Sequence, residues 1–352
     1  MRATTPAPAG RAAGARRPRI KDVAAAAGVS PQTVSNVINA RGRFTDATRD
    51  RVEQAIADLG FRPNQYAKSL RTRRTTMIGF DLSGTQMSVR NPFTLSFLHA
   101  LVHAAALRGY RVLTFTHDAP GADDLRESSV DALVDGFVLN DSTPADPRPR
   151  VLHERGIPFV VVGRTASDLP AAWVDVDNRA AMRAPVDHLV GRGFHRFAFL
   201  GYDTHDYWDV DRLVGTEEHL ARHGLPLAST VLVDPAGAGV REAVVDLLSG
   251  DDRPDAVVTS SDSLAVVVAQ LAPGLGLRMG TDLGLTGFDA GPLAGMTEPP
   301  LASVRIPVEE IAELSIERLV RRLEGEEARD GLLVDTELVT DPTRPGAGTS
   351  DG

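Results

Sequence analysis

Residues 18–63 carry apolar positions at the spacing of three short helices. The first helix is expected to end at Gly28, which tolerates a left-handed turn, and Ser30 offers a hydroxyl that can cap the second helix. The third helix is expected to begin after Thr45 and to end at Gly60. The apolar positions are Ile20, Val23, Ala24 and Ala27, then Val34, Val37 and Ile38, and finally Val52, Ala55, Ile56 and Leu59. This order predicts a helix-turn-helix unit.

The polar face of the second helix carries side chains that suit DNA. Its outward positions are Gln32, Thr33, Ser35, Asn36 and Asn39, and the predicted DNA-binding set also includes Ser30 and Pro31 at the helix start. Gln32 and Asn36 lie four residues apart, and an amide can bond the N6 and N7 edge of adenine in the major groove. The hydroxyls of Thr33 and Ser35 suit phosphate oxygens. A three-helix unit that only packs has the same spacing, so the pattern alone leaves both interpretations open.

From residue 76 onward, short apolar runs alternate with amphipathic stretches in two series. In the first series MIGF, RVLTF, GFVL, FVVV and WVDV predict strands, and helices are expected over 92–109, 123–134 and 178–192. In the second series FAFLG, VLV, AVVTS and LGLTGFD predict strands, with helices over 209–223, 240–248, 263–272 and 308–324. Continuous apolar runs between helices predict parallel sheets covered on both faces. Two such blocks predict two lobes, with a ligand crevice beyond the carboxyl ends of the strands.

Charge divides the chain at the same place. Residues 1–76 hold 15 Lys and Arg against 5 Asp and Glu, whereas the remainder holds 23 against 42. The overall formal charge of −9 therefore conceals a basic module on an acidic body, and the basic module favours contact with nucleic acid. Residues 1–17 are expected to form a disordered basic arm, which either touches DNA or serves no function.

Composition and motif content exclude several classes of protein. No apolar run approaches the ~18 residues that span a bilayer, and residues 1–17 lack the apolar segment of a secretory signal, so a soluble cytoplasmic protein is expected. The chain has no Cys, which excludes disulfides, thiolate catalysis and Cys-ligated zinc. His99 and His103, and also His219 and His223, have the spacing of metal ligands without a third ligand, so neither a metal nor a cofactor is predicted. HExxH, Gly-x-Ser-x-Gly and phosphate-loop motifs are absent, and an enzyme is not predicted.

The run RIKDVAAAAGVSPQTVSNVINARGRFTDATRDRVEQAIADLGFRPNQYAKSLRTRRTTMIG resembles the DNA-binding head and hinge of the lactose/galactose repressor (LacI/GalR) family. The resemblance implies a hinge helix over residues 64–72, capped by Asn64, that folds when two subunits meet on DNA. Leu70 would be the apolar wedge inserted from the minor groove, and Lys68 and Arg71 would neutralise phosphates. The alternative for Leu70 is an ordinary apolar contact under a linker.

Two positions in the reading helix depart from the family pattern. Members most often carry Arg where this chain has Asn36, and Arg is the side chain best suited to guanine O6 and N7. Several members carry a larger base-contacting side chain at the position of Pro31. A base preference different from the family's usual one is therefore expected.

The body resembles the family's effector-binding core, which is itself similar to periplasmic sugar-binding proteins. The matching segments include NPF at 91–93, VDGFVL, GIPFVVVGR, VDVDN, HLVGRGFHRFAFLG, AVVTSSDSLAV and TGFD. The resemblance implies that Asp289 accepts hydrogen bonds from ligand hydroxyls and that Arg212 clamps the ligand from the second lobe. Arg164 and Phe93 are expected to face the crevice from the first lobe.

Other candidate effector contacts carry alternatives. Asp262 follows AVVTSS, where its carboxylate either contacts the ligand or caps the helix that begins there. Trp208 and Trp173 could stack on a sugar ring, although Trp173 could equally pack at a strand start. Carboxylates, Arg and aromatic rings suit a neutral polyhydroxy ligand. A purine or anionic ligand, held by Arg212 and Arg164, stays open.

Together these features predict an N-terminal all-α helix-turn-helix head and a two-lobed α/β core of the periplasmic-binding-protein type, with two doubly wound parallel sheets. The expected divisions are an arm 1–17, a head 18–63, a hinge 64–76, a core 77–340 and a disordered tail 341–352, with about 77–177 and 304–328 in the first lobe and about 178–303 and 329–340 in the second. The expected function is a homodimeric repressor of carbohydrate uptake or catabolism genes, bound to a palindromic operator at the nucleoid and released by a sugar-type effector. A corepressor-dependent regulator that responds to a purine or other non-sugar ligand, and a solute-binding protein without a regulatory role, are the alternatives.

Overall fold

The computed structural model describes residues 18–38, 42–61, 74–82, 92–115, 133–165, 169, 171–326 and 330–341. The chain divides into two compact units, Met1–Arg73 and Arg74–Gly352. The predicted arm, the hinge segment 64–72, most of the helix expected over 123–134 and residues 342–352 lie outside the described residues. Of the helices that are described, none is both long and apolar enough to cross a membrane.

The described part of the first unit contains three helices: α1 (Ile20–Ala27), α2 (Pro31–Ile38) and α3 (Asp46–Leu59). α1 ends at Gly28 and α3 at Gly60, both with left-handed φ values, 65° and 60°. The Thr33 backbone N–H donates to Ser30 Oγ at 3.0 Å, and the Thr48 backbone N–H donates to Thr45 Oγ1 at 3.3 Å. Both predicted caps are therefore confirmed. The buried core of this unit consists of Val23, Ala24, Ala27, Val34, Val37, Val52, Ala55 and Phe61.

The second unit begins with one βα series and continues into another. The first series comprises β1 (Met77–Asp81), α4 (Pro92–Leu107), β2 (Arg111–Phe115), β3 (Gly136–Leu139), α5 (Arg148–Glu154), β4 (Phe159–Val162) and β5 (Ala172–Val176). The second comprises α6 (Asn178–Ala181), α7 (Arg183–Gly191), β6 (Phe197–Tyr202), α8 (Tyr207–Arg222), β7 (Leu227–Val233), α9 (Val240–Leu248), β8 (Ala256–Thr259), α10 (Asp262–Leu271), β9 (Gly284–Asp289) and β10 (Ala302–Arg305), with 3₁₀ turns at Ala272–Leu275 and Pro292–Met296. The described chain then closes with α11 (Val308–Leu323), β11 (Gly331–Val334) and β12 (Glu337–Val339).

The described strands form two sheets, one in each lobe. The first sheet has the order β11-β5-β4-β3-β1-β2 with every pair parallel. The second has the order β12-β10-β9-β8-β6-β7, parallel except for β12, which runs antiparallel to β10. Helices cover the sheets, and α11 packs on α4 and on β3, β4 and β5 of the first lobe. The predicted architecture of a helical head and a two-lobed α/β core is therefore confirmed.

Two boundaries between the lobes differ from the sequence-based expectation. β11 pairs with β5 in the first sheet, although residues 329–340 were expected in the second lobe. β10 pairs with β9 and carries residues 304 and 305 into the second sheet, although they were expected in the first. The chain thus crosses between the lobes again within the two residues that separate β11 from β12. Strands of three or four residues carry too few positions for their periodicity to assign them to a sheet.

Several helix boundaries also differ, and those at the starts of α8 and α10 matter for the site. The helix expected over 178–192 is interrupted at Met182. α8 begins at Tyr207, two residues earlier than expected, which makes Asp206 its N-cap residue. α10 begins at Asp262 rather than one residue later, and its N-cap is Ser261. The helix α5 and the strands β10, β11 and β12 were not predicted as elements.

Candidate functional site

The outward face of α2 carries the predicted pair of amides. Gln32 is exposed and Asn36 is half-buried, and Gln32 Nε2 donates to Asn36 Oδ1 at 3.0 Å. This bond leaves an amide oxygen of Gln32 as an acceptor and the amide nitrogen of Asn36 as a donor on the same face. A neighbouring acceptor and donor complement the N6 donor and N7 acceptor of adenine.

The helix start carries the hydroxyls of the predicted set. Ser30 Oγ accepts a hydrogen bond from the Thr33 backbone N–H and lies 2.9 Å from Thr33 Oγ1. Pro31, the next residue, is exposed. Ser35 is half-buried on the same helix. The other predicted DNA-binding residues lie outside the described part of the chain: Asn39, Asn64, Lys68, Leu70 and Arg71.

Arg212, on α8 of the second lobe, is the central cation of the cleft between the lobes. It is only 5% exposed, its Nε donates to Asn178 Oδ1 at 2.9 Å, and its Nη1 donates to the Ser260 carbonyl at 2.6 Å. Its guanidinium carbon lies 3.5 Å from the centroid of the Phe288 ring and 4.7 Å from that of Trp208. Two aromatic rings and two fixed acceptors therefore hold one orientation of the guanidinium.

Four carboxyl groups interact electrostatically with Arg212, those of Asp175, Asp209, Asp262 and Asp289. Burial raises the pKa of Asp289 to about 8, and the carboxylate of Asp262 adds to the rise. Burial also raises the pKa of Asp175, Asp209 and Asp262 to about 6. Arg212 lowers the pKa of all four, so it is their shared counter-charge.

Asp289 lies at the carboxyl end of β9 on a strained backbone. Its φ is 109° and that of the next residue is 46°, values that non-glycine residues rarely adopt and that cluster at functional sites. Asp262 supports this turn, because its carboxylate accepts from Gly291 N at 3.0 Å and from Ser303 Oγ at 2.5 Å. Ser261, not Asp262, caps α10. The capping alternative for Asp262 is therefore wrong, and its carboxylate positions the loop that follows Asp289.

Arg164 joins the first lobe to the second. Its guanidinium forms an ion pair with Asp211 on α8, and its Nε lies 3.9 Å from Asp175 Oδ2 at the end of β5. Arg179 Nε donates to the other oxygen of Asp211 at 3.0 Å. The guanidinium carbon of Arg164 lies 5.8 Å from the Tyr207 ring centroid. Arg164 thus lies at the crevice, where it contacts the second lobe directly.

Three aromatic residues proposed from sequence occupy different places. Phe93, stacked at 6.1 Å on Phe97, lines a void of about 30 Å³ together with Asp262 and Asp289, so it meets them across the crevice. Trp208 packs against Arg212 and edge-on to Tyr202. Trp173 lies near the amino end of β5, away from the carboxyl ends that form the crevice.

The indole of Trp173 covers a neighbouring strand. A Cβ placed on Gly331 would lie 1.8 Å from Trp173 Cζ2, and the two residues are register partners between β5 and β11. Trp173 also packs on the buried cluster that contains Phe137 and Phe159. The structure therefore supports the packing alternative for Trp173.

Sequence reasoning missed a second charged group in the crevice. Arg148 of α5 is 6% exposed, and its guanidinium donates to the carboxylates of Asp146 and Asp81 and to two backbone carbonyls. Burial alone would lower the pKa of Arg148, but Asp146 and Asp81 outweigh it and raise the pKa. Asp81 directly follows MIGF, so the rule that selects polar residues at strand ends would have found it.

His219 and His223 have different partners in the structure. His219 Nε2 lies 3.2 Å from the Arg179 carbonyl, whereas His223 Nε2 lies 2.6 Å from Asp187 Oδ1. Within the described ranges, no group of three or more His, Cys, Asp or Glu side chains has the arrangement of a metal site. The crevice is therefore a surface of carboxylates, guanidinium groups and aromatic rings, which suits hydrogen-bonding ligands.

Comparison with known proteins connects both units to one family. The model of bacterial regulatory proteins of the lacI family matches residues 19–64, and that of the periplasmic binding protein-like domain matches residues 186–340. The HTH-type transcriptional regulator CelR of Thermobifida fusca is 31% identical over 335 residues, which cover 92% of this chain and 97% of CelR. The HTH-type transcriptional regulator reg1 of Streptomyces lividans is 32% identical over 321 residues, which cover 87% of this chain and 90% of reg1.

Solved structures have a similar fold. The transcriptional regulator CelR in complex with cellobiose superimposes with a TM-score of 0.69 at 29% identity, covering 92% of this chain and 98% of that one. The Lac repressor dimer bound to operator and the anti-inducer ONPF superimposes with a TM-score of 0.82, covering 93% of this chain and 99% of that one. At 23% identity this second likeness shows the fold alone. The relatives named here are transcriptional regulators, not enzymes, and the chain belongs to the lacI family of bacterial regulatory proteins.

Proposed function

We propose that this chain is a repressor of carbohydrate uptake or catabolism genes in the cytoplasm, binding a palindromic operator as a homodimer and released by a sugar-type effector. The observation that carries the proposal is the crevice, in which polar groups from both lobes converge around Arg212. A ligand there contacts both lobes, so it can favour one arrangement of the lobes over another.

A neutral sugar fits the crevice better than an anion. Arg212 Nε and Nη1 already donate to protein acceptors, and Arg164 is paired with Asp211. The carboxyl groups of Asp289 and Asp262 offer acceptor oxygens in either protonation state, which suit the hydroxyl donors of a sugar. The relative CelR was solved with cellobiose, which supports a ligand of this class.

The dimer is proposed to form partly through α4. Its exposed face presents the apolar side chains of Leu95, Val102 and Leu107, which are 61%, 46% and 67% exposed. Apolar residues this exposed along one helix are typical of a protein–protein contact. A helix-turn-helix of this kind then reads two half-sites related by a two-fold axis.

The hinge is proposed to transmit the ligand signal. When the lobes change arrangement, the hinge helices of the two subunits lose their mutual packing and Leu70 leaves the minor groove. The effector can shift this equilibrium only through its different affinities for the two arrangements. Leu70→Ala is accordingly expected to weaken specific binding far more than non-specific binding.

The test is selection of bound fragments from the source genome by the purified full-length chain, followed by sequencing. Enrichment of a palindrome with a central pyrimidine–purine step supports the proposal, because such steps kink most easily. The matched control is Gln32→Ala, which removes one base-reading amide and leaves the caps of α2 and α3 intact. Enrichment only after a purine is added would favour the corepressor alternative, and enrichment without a palindrome in either condition would contradict operator recognition by a dimer.

A further inference from the structure

The ion pair between Arg164 and Asp211 is a direct charged contact between the two lobes. Arg164 follows β4 of the first lobe, whereas Asp211 lies on α8 of the second lobe. The guanidinium carbon of Arg164 also lies 5.8 Å from the ring centroid of Tyr207, the first residue of α8. A movement of α8 away from the first lobe therefore has to break these contacts.

Asp211 keeps a cation within its own lobe. Its Oδ2 pairs with Arg164, whereas its Oδ1 accepts from Arg179 Nε at 3.0 Å. Arg179 belongs to α6, which packs on α8 in the second lobe, and its Nη1 lies 3.7 Å from Glu218 Oε1. The side chain of Asp211 is only 8% exposed. If Arg164 leaves, Asp211 still has Arg179, so the cost of a buried charge without a partner does not arise.

Arg164 likewise has a second carboxylate within its own lobe. Its Nε lies 3.9 Å from Oδ2 of Asp175, near the end of β5. The other oxygen of Asp175, Oδ1, accepts from the backbone N–H of Val176 at 2.8 Å and from Asn178 Nδ2 at 3.3 Å. These bonds fix the carboxylate with Oδ2 toward Arg164. Asp175 and Asp211 thus offer one oxygen each to the same guanidinium, one from each lobe.

This arrangement allows Arg164 to exchange one partner for the other. An ion pair whose members have no other partner braces a structure permanently, because breaking it leaves buried charges unpaired. Here both members have an alternative partner within their own lobe, and the side chain of Arg164 is 39% exposed. Ion pairs that are partly exposed to water contribute little to stability, so the two pairings differ little in free energy.

We propose that the Arg164–Asp211 ion pair is a latch between the lobes, which Arg164 releases by moving to Asp175. The inference rests on the proposed function, in which the effector acts by changing the arrangement of the lobes. The latch favours the arrangement in which α8 contacts the first lobe, and the exchange of partners keeps the other arrangement accessible. The balance between the two pairings then sets the equilibrium on which the effector acts.

Double electron–electron resonance of the full-length chain, without ligand or DNA, tests the latch. The chain has no native Cys, so Glu154→Cys and Glu242→Cys, at exposed positions of α5 and α9, place one spin label in each lobe. Labelled chains are mixed with an excess of unlabelled chains, so that distances between subunits do not contribute. The latched population is the one at the distance between the labels that the structure has.

We expect Arg164→Gln to reduce the ratio of latched to unlatched chains about threefold or more, because it removes the charge that joins the lobes. Asp211→Asn is expected to have the same effect. Asp175→Asn removes the competing acceptor, so it is expected to raise the ratio instead. Arg179→Gln is the matched control, since Arg179 pairs with the same carboxylate from within the second lobe, and it is expected to leave the ratio unchanged.

Salt provides a test that needs no variant of the latch. An increase from about 0.1 M to about 1 M NaCl screens the partly exposed ion pair, so we expect it to lower the ratio in the wild type and to have little effect on Arg164→Gln. The same distances in the wild type, Arg164→Gln and Asp211→Asn at both salt concentrations would overturn the latch, and so would an equal shift in Arg179→Gln. The selection of operator fragments does not depend on these distances, so failure of the latch is distinguishable from failure of the proposed function.

Discussion

Replacement of Arg212 by Met is the sharpest perturbation of the crevice. Met keeps an unbranched apolar stem between the rings of Phe288 and Trp208 but removes the charge and both hydrogen bonds. Each charge-assisted hydrogen bond contributes about 1.5–3 kcal/mol to stability. Removing one partner of a buried ion pair lowers the free energy of unfolding by about 3–5 kcal/mol. Because these figures describe the same contacts, they do not add. We expect Arg212→Met to lower the free energy of unfolding of the core by about 3–5 kcal/mol.

The loss should depend on pH, which separates a charge effect from a packing effect. Arg212 lowers the pKa of Asp289 and Asp209, so its removal raises the pKa of both carboxyl groups further. At pH 6 Asp289 is largely protonated and Asp209 is partly protonated. Less negative charge then lacks a counter-charge in the variant, so the loss of the guanidinium destabilises the core less at pH 6 than at pH 8. We therefore expect a larger destabilisation at pH 8 than at pH 6.

Urea unfolding followed by tryptophan fluorescence measures this difference in the core alone, because both Trp residues of the chain, Trp173 and Trp208, belong to the core. Arg212→Lys is the matched control, which keeps the charge and loses the planar fork. We expect it to show a smaller pH dependence than Arg212→Met. A loss below about 1 kcal/mol, or an equal loss at the two pH values, would refute the role of Arg212 as the shared counter-charge.

Three further predictions concern the core as a whole and the head. The stability of the wild-type core should fall as pH rises from 5.5 to 8.5. The pKa of Asp206 is raised to about 7 and that of Asp289 to about 8, so the folded state binds more protons than the unfolded state in this range. The stabilising contribution of each group is lost as the pH rises through its pKa in the folded state. Melting curves at several pH values should show a loss of at least about 2 kcal/mol that shrinks in Asp289→Asn; a rise in stability with pH would contradict the assignment. Ser30→Ala removes the cap of α2 and should destabilise the head by about 1 kcal/mol, seen as faster hydrogen exchange of the α2 amides, whereas unchanged exchange would show that the cap contributes nothing. Asn36→Arg should move the preferred base from adenine toward guanine in a randomised half-site, and an unchanged preference would mean that Asn36 does not read that base.

Local features of the sequence were the most predictable. The caps at Ser30 and Thr45 and the left-handed glycines at the ends of α1 and α3 depend on neighbouring residues, and the structure places them as expected. The structure also brings Asp289, at the carboxyl end of β9, near Arg212 of α8, as the family resemblance implied, and their role in binding an effector stays a prediction.

Features that depend on distant contacts could not be read in the same way. The position of Trp173 follows from its pairing with Gly331, a residue of β11 that returns to the first sheet after the chain has formed most of the second. The role of Asp262 depends on Ser303, which β10 brings beside it. Asp206 was not singled out in the sequence, because the helix was expected to begin at residue 209, and only the burial of Asp206 in the folded chain distinguishes it.

The central claim is that a ligand in the crevice controls DNA binding through Asp289 and its neighbours. Fluorescence anisotropy of a labelled operator fragment, titrated with the full-length chain with and without the effector sugar, tests it in the wild type and in Asp289→Asn. We predict that the sugar weakens operator binding by the wild type at least about tenfold, and that Asp289→Asn keeps its operator affinity but loses most of this response. An equal response of the two proteins, or a loss of operator affinity by Asp289→Asn without sugar, would contradict the claim.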